Sequence, residues 1–383
     1  MESEAVDFLA GVAGQGEVKR RLQRLTEAGK LPHALLFYGP KGTGKEAAGL
    51  EFGRYLLCGG ENAPCGQCKA CRMYRNFEHP DFYYLFPIKR PKKDKEGYDW
   101  EDKMTEPELE SYRRELQNKA ADLYYPVHYP GASGIILDQV RRMIHRSSLT
   151  SYMGGRRYAL ISPAEAMNDE SQNALLKLLE EPPDDFYLCL VSSRPEALFT
   201  TVVSRCQGFY FKPLSESEIG AGLQRHYQAS AEAVQSIKGR ADGSFGKARQ
   251  LFKEGDPARE EALDGFLLPI VMERPVEIYN FCRKYEKTVN KAYVKDILFS
   301  LDQWLKDISL MDAGLAPQYY TDKVKTERLE RFRKEVIYSN LAELRQATLA
   351  AVDIIDRNIY IDMMLTNLAV EYGKHLKWKR LKK

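Results

Sequence analysis

The sequence has little excess charge of either sign: 57 Lys+Arg against 54 Asp+Glu leaves +3 over 383 residues. A strong nucleic-acid binder shows a plain basic excess, so that class is not indicated. A charge-swollen disordered chain is excluded too, because hydrophobic residues make up 44% and supply a core. No run approaches the ~18 consecutive apolar residues needed to span a bilayer, and the acidic start Met1-Glu2-Ser3-Glu4 has no signal-peptide pattern. A soluble cytoplasmic protein without membrane attachment is expected. At roughly 100–200 residues per domain, its length suggests two or three domains.

Cysteine is sparse, yet four of the seven fall together as Cys58-x6-Cys65-x2-Cys68-x2-Cys71. In an intracellular chain such a cluster reads as metal ligands rather than disulfides. Two-residue gaps let successive thiolates point at one tetrahedral ion, and Zn²⁺ accepts four of them without redox chemistry. A site filled entirely by protein is closed, hence structural. The alternatives are four unpaired thiols in a Gly/Pro-rich loop, or an iron–sulfur cluster, for which nothing else here suggests electron transfer. Cys189 lies in an apolar run and reads as core; Cys206 and Cys282 are isolated.

Val18, Leu22 and Leu25 space an amphipathic helix over 15–29. The apolar run Ala34 to Tyr38 reads as a buried parallel strand, followed by a loop and a helix from Glu46 to Leu57. Tyr158–Ile161 and Phe186–Val191 are further buried strands, with a helix Ser171–Glu181 between them stopped by Pro182-Pro183. Alternating strands and helices imply an α/β sheet with crossovers. From about Glu216 strand signals fade, and segments 216–252, 259–272, 276–311 and 323–380 carry helical periodicity, so the C-terminal third is expected to be all-helical. Residues 88–133, with the charged run Lys89 to Gly97 and later Tyr124-Tyr125-Pro126, read as an exposed insertion. Its charges are most simply a solvated surface, with partner docking or DNA contact as the minority reading. The basic tail Lys374 to Lys383 with its interleaved Trp378 is a second minority candidate for DNA or partner contact, since a helix end favours cations anyway.

Gly39-Pro40-Lys41-Gly42-Thr43-Gly44-Lys45 has the spacing of a Walker A phosphate loop. Gly39, Gly42 and Gly44 let consecutive N–H groups face one cavity, the next helix adds positive potential, and Lys45 can reach a phosphate. Two things are missing. The residue after Lys45, which should offer Mg²⁺ a hydroxyl, is Glu46; where an acidic pair should close the neighbouring strand stand Ser162 and Pro163, with Glu165 a few positions late. The pattern is a P-loop fold without the hydrolase's metal-handling groups. ATP or ADP binding stays open and hydrolysis is not expected.

Leu31 to Glu46, the four cysteines after the next helix, His79-Pro80-Asp81, Asn173 to Pro183 and Ser204-Arg205-Cys206, in this order, resemble the bacterial clamp-loader AAA+ proteins, the γ/τ and δ′ subunits of DNA polymerase III. Val12 to Gln15 and Leu137 to Arg141 are similar to that family as well. The resemblance covers roughly residues 8–255, interrupted by the insertion. It implies an α/β AAA+ core over 1–211 with a zinc knuckle at about 58–71, a small helical lid over 212–255 and an all-α collar domain over 256–383. In this family γ/τ members hydrolyse ATP and keep the Mg²⁺ hydroxyl, the acidic pair and a nucleotide-sensing Arg where Gly246 stands here. Departures at Glu46, Ser162, Pro163 and Gly246 favour the δ′ kind; the first cysteine gap is six residues where eight is usual. The SRC match implies that Arg205 projects in trans into a neighbouring subunit's ATP site. The implied partners are γ/τ and δ subunits in a hetero-pentamer, with the sliding clamp and primed DNA reached through the complex at the nucleoid. Two other readings are a divergent γ-type ATPase in which Glu165 or Glu46 assists Mg²⁺, and a zinc-containing AAA+ adaptor outside replication.

Overall fold

The computed structural model describes residues 8–379 apart from 61, 91–99, 254, 256, 287–290, 321–322 and 356–358. Most of the charged run at 91–97 therefore lies outside the described residues, as do the first four residues and Arg380 to Lys383 of the basic tail. The chain divides into two compact units, one reaching Ala229 and taking in Ala241–Arg249, the other comprising Ser230–Arg240 and everything from Gln250 onward.

The first unit is built on five strands, β1 (Ala34–Tyr38), β2 (Phe82–Leu85), β3 (Arg157–Ile161), β4 (Phe186–Ser192) and β5 (Gln207–Tyr210), in the order β2-β3-β4-β1-β5. Every pairing is parallel. Side chains alternate between two buried faces. Leu35, Phe37, Tyr158, Leu160, Cys189 and Val191 enter one core, and Leu36, Ala159, Ile161, Leu188 and Leu190 the other. Burial on both sides is why these strands are apolar throughout rather than alternating. Helices α1 (Gly16–Glu27), α2 (Lys45–Leu56), α3 (Lys69–Arg75), α4 (Glu106–Ala121), α5 (Leu137–Ser147), α6 (Asp169–Glu180), α7 (Thr200–Val203) and α8 (Glu216–Tyr227) complete the unit.

The insertion is not simply solvated. Its helix α4 starts at a capping box, with Thr105 and Glu108 exchanging backbone and side-chain bonds, and it turns Glu115 and Lys119 inward to buried positions. Tyr124, just beyond it, is buried as well. The aromatic and long-chain residues of the segment find cover that its polar composition hides.

The second unit is helical over 257–271, Pro275–Lys284, Lys291–Asp312, Lys323–Glu335, Leu341–Ile354 and Ile361–His375, around a core that includes Phe266, Leu298, Leu305, Leu344, Leu365 and Tyr372. The expectation of an all-α C-terminal third needs correcting. Val336–Tyr338 and Leu376–Trp378 pair as two antiparallel strands. Each has three residues, too few to break the helical periodicity on either side, but their β-branched and aromatic side chains suit a strand. Among the described residues no helix is long and apolar enough to cross a membrane.

Asp81, of His79-Pro80-Asp81, shows how a short motif becomes architecture. It is buried, and its carboxylate accepts bonds from Ser151 Oγ and from the backbone N–H groups of Tyr152 and Met153, each at 2.9 Å. The loop before β3 is thereby tied to the start of β2. Replacing Asp81 with Ala leaves those donors without a charged acceptor, and is expected to cost about 3 kcal/mol. Urea unfolding of the whole chain checks this; an unchanged midpoint contradicts it.

Candidate functional site

β1 delivers the chain into the phosphate loop between β4 and β5. Gly39, Gly42 and Gly44 take φ of 137°, 81° and 91°, values that favour glycine. At two of them the space is also closed: a Cβ on Gly39 would lie 2.3 Å from the Phe211 carbonyl oxygen, and one on Gly42 would lie 2.0 Å from Ser244 Oγ. The 243–246 segment packs against the loop, with Gly246 N–H donating to the Gly42 carbonyl at 3.0 Å. From the other side Gln15 Nε2 donates to the carbonyls of Thr43 at 3.1 Å and Lys212 at 2.8 Å.

Lys45 opens α2 and is buried. Its ammonium donates to the carbonyls of Gly39 at 2.7 Å and Pro40 at 2.5 Å, folding back onto its own loop. Burial lowers its pKa to about 8 against the opposing pull of the Glu165 and Glu46 carboxylates. Glu46 is held by Lys119 of the insertion at 3.3 Å and by the hydroxyl of Tyr84 on β2. At the end of β3, Ser162 is buried and its N–H donates to the Leu85 carbonyl at 3.0 Å. Glu165 accepts from Ser193 N–H at 3.0 Å through one oxygen, while the other is buried with no hydrogen-bond partner.

The loop glycines, Lys45, Glu46 and Glu165 thus form one locus. Two other candidates stand apart. Arg205 follows α7 on the surface, where it donates to the Thr201 carbonyl at 2.9 Å and pairs with Glu180 at 2.7 Å. The four cysteines converge: their sulfurs all lie within 4.8 Å of one another, with Cys58 and Cys65 3.5 Å apart. Four thiolates ~2.3 Å from one zinc stand about 3.8 Å apart, so the donor set and its spacing fit that ion. Backbone N–H groups already point at the sulfurs, Gly60 and Cys65 at Cys58, Cys68 at Cys65 and Cys71 at Cys68. The N–H groups of Cys68 and Gln67 pull the Cys65 thiol down to about 6, and burial pushes Cys71 up to about 12. Cys58, Cys65, Cys68 and Cys71 would hold the metal and pin the turn before α3 to the end of α2.

A family model for the DNA polymerase III delta subunit matches residues 14–215, more than half of the sequence. The chain belongs to this family. Among its relatives are the DNA polymerase III subunits delta' of Pseudomonas aeruginosa, 35% identical over 45% of this chain and 41% of that protein, and of Escherichia coli (strain K12), 28% identical over 60% of this chain and 57% of that protein. The tau subunit of Bacillus subtilis (strain 168) is 26% identical over 77% of this chain and 46% of its own length. The matches span about half the length of these curated relatives. A solved gamma subunit-related protein of Thermotoga maritima aligns with a TM-score of 0.36 at 16% identity, over 92% of this chain and 99% of that one.

Lys119 and Tyr84 belong to the site but escape sequence reasoning. Lys119 and Tyr84 lie 73 and 38 residues from Glu46 in the chain. Their one signal is a carboxylate at position 46, which demands a nearby cation if it is to be sheltered.

Proposed function

We propose that this chain is a non-hydrolysing, delta-prime-type subunit of a bacterial replicative clamp loader. It helps place a sliding clamp on primed DNA and lends an arginine to a neighbour's ATP site. The proposed assembly is a hetero-pentamer with gamma/tau and delta subunits, in the cytoplasm at the nucleoid. In it, 1–211 form the core, 212–255 a helical lid and 256–383 a collar.

One observation carries the reading. Glu46 stands where a metal-binding hydroxyl belongs and is fixed there by Lys119 and Tyr84. A carboxylate beside the β-phosphate repels the nucleotide and cannot reproduce the hydroxyl's place on Mg²⁺. Ser162 and Pro163 supply no second ligand, and Gly246, where even an added Cβ would lie 3.2 Å from Gly42 Cα, offers no sensing guanidinium. Arg205 stands at the surface paired with Glu180, and exchanging Glu180 for a partner's phosphate is the step that makes it a finger. A divergent ATPase is the second reading, favoured by the partnerless oxygen of Glu165 close enough to Lys45 to raise its pKa.

Arg205→Ala should leave the fold unchanged. Fingers are worth ~10³–10⁵ in rate at the site they serve, so a loader reconstituted with this variant should lose that site's share of DNA-stimulated turnover. Unaltered turnover removes the role. The closed thiolate set is assigned to a structural zinc, whose binding is coupled to folding by ~10–16 kcal/mol in small knuckles. Cys68→Ser is therefore expected to lose stoichiometric zinc by elemental analysis, and full metal content in the variant would sink the assignment.

A further inference from the structure

We infer that the insertion supplies an internal occupant for the nucleoside end of the phosphate-loop cleft, with Tyr124 standing where a base would go. The inference concerns this chain's own loop and holds whatever assembly the chain joins.

A nucleotide whose phosphates rest on the N–H groups of Gly42 to Lys45 must lead its sugar and base away past Gly44. That space is taken. The Tyr124 ring and Val12 come within 3.7 Å of the point where a Gly44 Cβ would stand. The ring lies edge-on to Phe245 with centroids 4.4 Å apart and to His226 at 5.2 Å, and its hydroxyl accepts the Ala13 N–H at 2.6 Å. A nucleobase is bound by just such a set, aromatic and apolar walls with one or two backbone groups that fix its edge. Here a tyrosine edge satisfies them all.

The occupant is bolted at both ends. Asp122 accepts from Tyr124 N–H at 3.0 Å, from the Tyr227 hydroxyl at 2.9 Å and from Arg249 Nε at 2.7 Å. The strap is thereby joined to α8 and to the 241–249 segment. On the phosphate side Lys119 bridges Glu46 and the Tyr125 carbonyl, the latter at 2.8 Å. Lys45 is meanwhile turned onto Gly39 and Pro40. Two insertion residues five apart thus engage the base end and the metal end of one cleft. A loosely placed lid needs neither Asp122's three donors nor a lysine buried against Glu46. Residues Lys119 to Tyr125 are therefore a built-in replacement for a ligand, keeping rigid a cleft that a nucleotide would otherwise order.

The test is ADP and adenosine binding by the full chain, followed by calorimetry and by the thermal unfolding midpoint, for wild type and Tyr124→Ala. Wild type is expected to show no saturable binding up to ~1 mM. The variant is expected to bind adenosine, which carries no phosphate for Glu46 to repel, at least ~10-fold tighter than that ceiling, with a ligand-dependent rise in its midpoint. Saturable micromolar binding by wild type overturns the inference. So does a folded Tyr124→Ala chain that binds neither compound, because the vacated space is then no nucleoside site. Should the variant fail to fold, hydrogen exchange at the Ala13 amide of wild type decides. Strong protection unchanged by ADP supports the occupant; fast exchange, or protection that appears only with ADP, refutes it.

Discussion

A carboxylate placed next to a phosphate cradle governs this molecule. Glu46 follows Lys45 at the start of α2, where the helix N-terminus and the loop amides favour negative charge. There the protein's own anion occupies the field that would attract a ligand's. Sheltering it calls for a cation and a donor, which Lys119 and Tyr84 provide. Lys119 arrives on α4 of the insertion, so the carboxylate at position 46 and the inserted helix meet in one contact. Lys45 places its ammonium on the loop carbonyls of Gly39 and Pro40.

The proposed occupant implies stiffness where a nucleotide-driven protein needs motion. An ATPase of this architecture orders and releases its loop with each ligand exchange, a population shift that requires the ligand to bind one state better. Here the loop is held by Gln15 on one side, by Gly246 on another and by the insertion on a third. A cleft held in this way would suit a subunit whose proposed task is to present Arg205 in a constant position. The cysteine cluster extends the logic, since a metal on Cys58, Cys65, Cys68 and Cys71 would lock the turn that follows α2 and needs no open coordination site.

What the sequence made legible follows burial and chain distance. β1, β3 and β4 are central strands covered on both faces, so they read as continuous apolar runs and match within a residue. β2 and β5 lie at the sheet's edges and have four residues each, among them Gln207 and Gly208, and no period announces them. The glycines and Lys45 are local and could be read from spacing alone, as could the four cysteines. Tyr124 could be seen as an aromatic in a polar insertion, but its contact with Ala13 spans 111 residues, and no local pattern encodes such a pairing. The antiparallel pair Val336–Tyr338 with Leu376–Trp378 was hidden for the same reason, two short pieces separated by two helices.

ATP turnover by the purified chain, first alone and then mixed with a gamma-type ATPase, the clamp and primed DNA, tests the account most directly. It predicts no hydrolysis by the chain alone and a clear stimulation in the mixture. Robust turnover by the chain alone, abolished by Lys45→Ala, would contradict it and make Glu165 or Glu46 a working metal ligand.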